Sequence, residues 1–503
     1  MVVAATTASS ILESQARVLL HWKSTLQNSH AQQLSSWSLS NNTCMWYGIT
    51  CTEINGGPAV ITGISLPRAG LVGKLDSLNF SALPSLTRLH LRRNYLFGTI
   101  PPRISTLSAL TSLDLSHNHL SNNLSITFGS LSNLTEIDLS SNKFTGALPL
   151  EIGQLKSLRA LRLFENYLTG PIPPTLGTLT SLRLLYLYRN QFSGNIPHEL
   201  GSLVNLLDLK ISFNNLIGSI PSSLGNLIKL KSLILGVNNL SGTIPRELGN
   251  LVNLSELDIG ENQLSGTILL TLRNLTNLSL LYLHRNQFSG NIPHELGNLV
   301  NLLNLAISYN NLTGSIPSNL GNLTKLKALY LGKNNLSGTI PRELDNLVNL
   351  TDLDIAENQL SDSIPSTLGN LTMLKTLFLF VNHLSGTIPH ELGNLMNLSD
   401  LDISENQLSG SIPSTLGNLT TLTKLLAFNN QLSGSLPKEL GNHTNLVLLD
   451  MSNNSFFGYL PSEICKGGAL RRLLLQNNYF EEFALKETSL VKISLKPLGY
   501  TQI

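Results

Sequence analysis

The sequence is short of charge, of cysteine and of any long apolar run, and each shortage closes off a class of function. Only 13% of its 503 residues are Asp, Glu, Lys or Arg, and 33 basic against 31 acidic side chains leave a formal charge of +2. That is no basic field, so nucleic acid is excluded as a partner. No stretch of about 18 apolar residues occurs, so the sequence contains no membrane-spanning helix. The three cysteines, Cys44, Cys51 and Cys465, are too few for a four-ligand zinc site. No metal or other cofactor is expected. Cys44 and Cys51 lie close together near the start, which points to an oxidising, secreted setting. The opening residues MVVAATTASSILESQ nevertheless lack the basic start and apolar stretch of a secretory leader.

What the sequence does have is a period. Asparagine recurs every 24 residues without a break, at Asn94, Asn118, Asn142, Asn166, Asn190, Asn214, Asn238, Asn262, Asn286, Asn310, Asn334, Asn358, Asn382, Asn406, Asn430, Asn454 and Asn478. Each stands in one frame, as in Leu398-x-x-Leu401-x-Ile403-x-x-Asn406-x-Leu408-x-Gly410-x-Ile412-Pro413. Apolar residues alternating with others make a short strand, leucines inward and the x positions outward. One strand per coil, stacked in register, gives a parallel sheet along one wall. The asparagine amide, with two donors and an acceptor, suits a turn that bonds its own coil and the next. Proline fixes φ and has no N–H, so Gly-x-Ile-Pro is extended. A stretch such as Leu416-Gly417-Asn418-Leu419-x-x-Leu422 then returns along the back as a short irregular helix.

The array frays at both ends and repeats within itself. Ile64-x-Leu66 through Leu71-x-Gly73 fits the frame with Gly70 at the asparagine place, a worn first coil. Leu490-x-x-Ile493-x-Leu495 restores the strand signature, but its turn falls at Leu498, 20 residues after Asn478. No capping segment follows, and an uncapped solenoid exposes an apolar end, so the chain reads as truncated after about Phe480. Tyr186–Gly201 returns 96 residues later as Tyr282–Gly297 with one difference, Tyr188 against His284. Four coils were copied as a block.

Ahead of the array stand Leu19-Leu20-x-Trp22-Lys23, Leu34-Ser35-Ser36-Trp37 and Cys44-x-Trp46-x-Gly48-Ile49-Thr50-Cys51. With the Leu-x-Gly-x-Ile-Pro coil, these resemble the N-terminal cap and repeats of plant leucine-rich-repeat receptor-like kinases and receptor-like proteins. Glu463-Ile464-Cys465-Lys466-Gly467-Gly468 is most similar to the group around male-discoverer-interacting receptor-like kinase 2. The resemblance covers roughly residues 12–480. It implies an α/β solenoid, a plant-type leucine-rich-repeat superhelix with a parallel sheet on the concave wall and an irregular, 3-10 helical convex side. The domains implied are a residual leader at 1–11, a cap at 12–60, an array of about 18 repeats at 61–480 and a degenerate repeat at 481–503. It also implies a cap disulfide between Cys44 and Cys51. In the family the Cys-Lys-Gly-Gly cysteine usually meets another about one coil later; Leu485–Leu490 holds none, which leaves Cys465 alone.

The function implied is the extracellular, peptide-perceiving domain of a plant cell-surface receptor kinase. It would sit at the outer face of the plasma membrane, tied to it only through segments outside this sequence. No kinase is present, so no catalytic residue and no enzymatic activity are expected. The implied partners are a secreted peptide or protein ligand and a co-receptor kinase ectodomain. A secreted or kinase-less leucine-rich-repeat protein, either a receptor-like protein or an inhibitor of a microbial or wall enzyme, is the alternative, and a degraded gene product a third.

The outward strand positions four, two and one residues before each asparagine form columns on the wall. Exposed aromatics there, among many serines and glycines, make ridges that suit an extended peptide. The candidates are Phe164, Tyr186, Tyr188, Arg189, Asp258, Tyr282, His284, Arg285, Tyr309, Tyr330, Asp354, Phe378 and Phe380. The plainer alternative is scattered surface residues of a drifting repeat. Seventeen strands at about 4.8 Å span roughly 80 Å, and an extended peptide of a dozen residues covers about 40 Å, the scale of Phe164 to Phe380. Acid clusters such as Glu256/Asp258/Glu261 and Asp352/Asp354/Glu357 lie on an open wall and read as a solvated face, not as a glycosidase pair. Glu165 with Arg189, Glu261 with Arg285 and Lys333 with Glu357 are expected to pair across adjacent strands. Arg88, His90, Arg92 and Arg93 form a basic patch on the first full strand. Trp22, Trp37 and Trp46 are expected to pack the cap over the first coil. Asn133, Asn274, Asn322, Asn370 and Asn418 sit in Asn-x-Ser/Thr phrases and permit glycosylation on the back.

Overall fold

Each Leu-x-Leu frame folds as a three-residue strand, because its inward side chains are buried only when the next coil lies against them. The computed structural model describes residues 2–28, 32–53, 57–124, 129–442, 444–481 and 492–494. The chain divides into two units, Met1–Leu254 and Ser255–Ile503, and each is an α/β solenoid of stacked coils. In the first unit Arg88–His90, Ser112–Asp114, Glu136–Asp138, Ala160–Arg162 and Leu184–Tyr186 run parallel, with Leu89, Leu113, Ile137, Leu161 and Leu185 level. The second unit keeps that register from Glu256–Asp258 to Arg472–Leu474. Inward residues such as Leu329, Leu331, Leu353 and Ile355 are fully buried.

The asparagine does what its chemistry allows. In the second unit Asn334 Oδ1 accepts the Leu312 N–H of the preceding coil at 3.0 Å. Its Nδ2 donates to Ile307 O of that coil at 3.1 Å and to Leu331 O of its own at 3.0 Å. Asn118 repeats the pattern in the first unit, with Leu96 N, Leu91 O and Leu115 O. The residue before each asparagine turns left-handed, as at Lys333 (φ 56) and Val381 (φ 52), a conformation that costs a side-chain-bearing residue about 1 kcal/mol. This turn was not visible in the leucine frame.

The extended segment after the asparagine goes further than the proline rule requires. Gln287–Asn291 pairs in parallel with Gln263–Thr267 and with Asn311–Gly314, a second ladder beside the first. Proline falls just beyond these strands, so its missing N–H breaks no rung. On the back most of the described coils make a five-residue 3-10 helix such as His294–Asn298, entered through Pro293.

In the first unit a helix, Val2–Thr25, leads into the cap. Cys44 and Cys51 are disulfide-bonded. Trp37 stacks on Trp46 at 5.5 Å and tilts against Trp22 at 6.4 Å, and the Trp22 indole N–H donates to Lys74 O at 3.0 Å, seating the cap on the first coil. Where that coil carries Gly70 instead of asparagine, Asn28 of the cap supplies the amide, accepting from Val72 N at 3.0 Å and donating to Gly70 O. At the far end of the second unit Lys492–Ser494 pairs in parallel with Arg472–Leu474, 20 residues on (492 less 472). The remainder of the leader and terminal-repeat readings, residue 1 with 482–491 and 495–503, lies outside the described residues, as does the Cys465 side chain. Among the described residues no helix is long and apolar enough to cross a membrane.

Candidate ligand-binding face

In the first unit the outward side chains of five adjacent strands close around a hollow of about 480 Å³. Its aromatic end is Phe164 stacked on Tyr188, with ring centres 4.5 Å apart and planes 7° from parallel, and Tyr186 tilted beside them. Its charged end is built from His90, Arg92, Asp114, Glu136, Asp138 and Arg162. Half of the basic patch thus joins the aromatic ridge in one site, a convergence hidden in sequence by 98 residues of separation (188 less 90). Glu136 escaped notice because it stands six residues before its asparagine, a fourth outward position. His90 Nε2 lies 2.8 Å from Ser112 Oγ, and burial lowers the imidazole pKa, favouring the neutral ring. Burial raises the Tyr188 phenol and the Asp138 carboxyl, the latter partly offset by hydrogen bonds from Ser140. Arg189 reaches Glu165 at 3.5 Å as expected and also covers the Phe213 ring at 5.3 Å.

In the second unit the candidates sort into two groups. Tyr282 meets His284 edge-on at 6.0 Å, and its hydroxyl accepts from Asn304 Nδ2 at 3.0 Å. Phe378 and Phe380 pack edge-to-face at 6.2 Å. Between these two ridges the wall is low, with Ala306, Ser308, Gly332 and Ala356 at the outward places and Tyr330 rising from the middle. Asp258 and Asp354 are half structural. Each accepts the backbone N–H two residues on at 3.0 Å, from Gly260 and Ala356, and burial raises both carboxyls.

The expected Glu261–Arg285 pair is not formed. Glu261 faces His284 Nε2 at 3.7 Å, while Arg285 lies over the Tyr309 ring at 4.3 Å, where a planar guanidinium gains both stacking and charge. Lys333 covers the same ring at 4.9 Å and pairs with Glu357 at 3.4 Å as expected. Tyr309 is therefore held between two cations. On the back, Asn274, Asn322 and Asn418 end their 3-10 helices exposed. Asn133 instead donates its amide to Ser108 O at 2.8 Å, and Asn370 to Asp345 Oδ2 at 3.3 Å. No group of three metal-ligating side chains occurs among the described residues.

Comparison with known proteins agrees with this architecture. A leucine rich repeat N-terminal domain model matches residues 12–52. Leucine rich repeat models match 108–168 and 300–360, and nine single repeats between 85 and 466. The chain is 37% identical over 106 residues to MDIS1-interacting receptor like kinase 2 of Arabidopsis thaliana, covering 20% of this chain and 10% of that protein. It is 38% identical over 92 residues to Receptor-like protein 3 of the same plant, covering 18% and 12%. The aligned stretches thus span about a tenth of the curated relatives. Among solved structures, the plant peptide hormone receptor RGFR1 in complex with RGF2 is 30% identical, with 87% of this chain and 88% of that one covered and a TM-score of 0.63. The Arabidopsis receptor kinase HAESA, in complex with the peptide hormone IDA and the co-receptor SERK1, is 29% identical, with 94% and 95% covered and a TM-score of 0.67. The chain belongs to the leucine-rich-repeat family, among the repeats of the plant receptor-like kinases.

Proposed function

We propose that this chain is the extracellular, peptide-perceiving part of a plant cell-surface receptor kinase, and that it captures a secreted peptide on its strand walls. The observation that carries the reading is the first-unit hollow. There a stacked Phe164–Tyr188 pair adjoins Arg92 and Arg162, neither of them in an ion pair with a carboxylate among the described residues. Flat rings give contact area at small entropic cost, and guanidiniums beside carboxylates in the same hollow can orient a polar chain. The second-unit wall offers a separate stretch from Tyr282 to Phe378. Four coil steps at about 4.8 Å make roughly 19 Å, room for about six extended residues. A co-receptor kinase ectodomain is the expected second partner, as in the HAESA complex. The likeness to Receptor-like protein 3 favours a kinase-less protein as the second reading, with the same binding walls.

The test is capture of synthetic secreted plant peptides of about a dozen residues by the immobilised chain, with and without alanine at Tyr186, Tyr188, Tyr282 and Tyr330. Binding by the parent and its loss in the fourfold variant, with thermal melting unchanged, is the expected result. Equal affinity in both would discard the aromatic walls.

A further inference from the structure

Charge is divided unequally between the two strand walls. The outward places six, four, two and one residues before the ladder asparagines hold five carboxylates and six Lys or Arg side chains from Asn94 to Asn238. From Asn262 to Asn478 the same places hold ten carboxylates and four Lys or Arg. The whole chain carries +2, so the acid excess belongs to the second-unit wall and not to the composition.

That excess gathers on both sides of one ridge. Phe378 stands level with Asp354 on the strand before it and with Asp402 on the strand after it. The rows around it are Asp352/Asp354/Glu357 and Asp400/Asp402/Glu405. At their outer ends Glu357 pairs with Lys333 at 3.4 Å and Asp400 with Lys424 at 2.9 Å. Asp352 accepts from the hydroxyls of Thr351 and Thr376. Asp354 and Asp402 accept through Oδ1 alone, from Ala356 N–H and from the N–H and hydroxyl of Ser404. Neither has a cation partner among the described residues. Burial raises both carboxyls, and the charges that act on them, Glu357 on Asp354 and Glu405 with Asp450 on Asp402, are all of like sign.

The rings between them also lack a cation. Elsewhere the chain covers its own wall aromatics, with Lys210 over Tyr186, Arg189 over Phe213, and Arg285 with Lys333 over Tyr309. Phe378 and Phe380, half-buried and edge-to-face, have no such cover among the described residues. Uncovered rings and unneutralised carboxylates coincide at this one place on the wall.

We propose that the Phe378–Phe380 ridge is the anchor subsite for an arginine side chain of the captured peptide, an inference that rests on the peptide reading of the second-unit wall. A planar guanidinium lies flat on a ring and directs its N–H groups outward from its edge, toward Asp354 on one side and Asp402 on the other. Each carboxylate stands one strand spacing, about 4.8 Å, from the Phe378 strand. A compact ammonium holds its charge at a point and stacks less well. An acidic side chain is repelled from both rows.

Selection of a random dodecapeptide pool on the immobilised whole chain tests it. Arginine is enriched among the captured peptides. In the tightest of them citrulline, which keeps the shape and removes the charge, replaces each arginine in turn, and at one position affinity falls at least about tenfold. Asp354→Asn with Asp402→Asn keeps an oxygen for the Ala356 and Ser404 N–H groups, so this variant melts close to the parent while no longer distinguishing arginine from citrulline. Phe378→Leu keeps both carboxylates, removes the ring and weakens the same preference. The arginine subsite is overturned, with the peptide reading left standing, if captured peptides need no arginine, if lysine serves as well, or if both variants discriminate as the parent does. Capture of no peptide at all removes both readings.

Discussion

Removing one ladder asparagine tests the physical basis of the whole array. Asn334→Ala strips the Leu312 N–H of its acceptor and takes a donor from Ile307 O and Leu331 O, all in a fully buried layer. An unpaired buried donor costs about 1–3 kcal/mol, and two under-satisfied carbonyls add about 1 kcal/mol each, for a loss of about 3–5 kcal/mol. In a solenoid that loss is local, since each coil touches only its neighbours. The assay is amide hydrogen exchange read beside a urea titration. Protection of the Leu312 amide should fall by at least about a hundredfold, since about 1.4 kcal/mol is worth tenfold. The companion Asn334→Asp keeps an acceptor for Leu312 but points an anion at two carbonyl oxygens, so it should be at least as harmful at neutral pH and recover on acidification. A stability loss below about 1 kcal/mol, with Leu312 protected as in the parent, would refute the account of the asparagine as a shared staple.

Val381 holds a left-handed φ of 52° with a β-branched side chain, and Asn429, Asn453 and Asn477 occupy the same place in later coils. Val381→Asn should therefore raise stability by about 1 kcal/mol, read as an upward shift of the urea midpoint. Replacing Cys44 and Cys51 by serine opens a loop with a sequence separation of 7 and should cost about 2.5 kcal/mol, seen as earlier melting of the cap tryptophans by fluorescence. Burial raises Asp354, Asp402 and Asp450 above the ordinary carboxylate value of 3.8, although hydrogen bonds from neighbouring backbone N–H groups pull the other way. A raised folded pKa means the folded chain holds more protons, so their contribution is fully present below 3.8 and lost as pH rises through the raised values. Relative to a variant with asparagine at all three, the parent should gain stability as pH falls from 7 toward that range. Parallel pH profiles would remove the buried-carboxyl explanation.

The fold was legible because every level of the sequence repeated the same instruction. The period gave the coil, the alternation within Leu-x-Leu gave the strand, and the amide chemistry of asparagine gave the bond between coils. What escaped were features without a side-chain signature. The left-handed residue before each asparagine is Arg, His, Ser, Glu, Phe, Val, Tyr, Lys or Asn as the coil varies, because the backbone, held from both sides, imposes the conformation. The second ladder was missed because proline argues against sheet, and the structure places the rungs just ahead of it. Site residues were legible where they stood out as aromatics, and only partly elsewhere. Arg285 was matched to the nearest opposite charge, whereas an adjacent ring offered the guanidinium a larger face.

The one residue that differs between Tyr186–Gly201 and Tyr282–Gly297 explains itself through a residue outside those stretches. Tyr188 stacks on Phe164; 96 residues on, the counterparts are His284 and Gly260. A methyl group at Gly260 would lie 2.7 Å from His284 Cε1, so the imidazole rests directly on bare backbone. The two changes are one repacking. The same holds at the back, where Gly177 has Arg273 as its counterpart and the repeated glutamate beside it is 14% exposed at Glu295 against 39% at Glu199. The repeated stretch gave the two places the same starting side chains, and paired changes across a coil boundary, where each coil must fit its neighbour, are the steps by which the two strand walls came to present different chemistry.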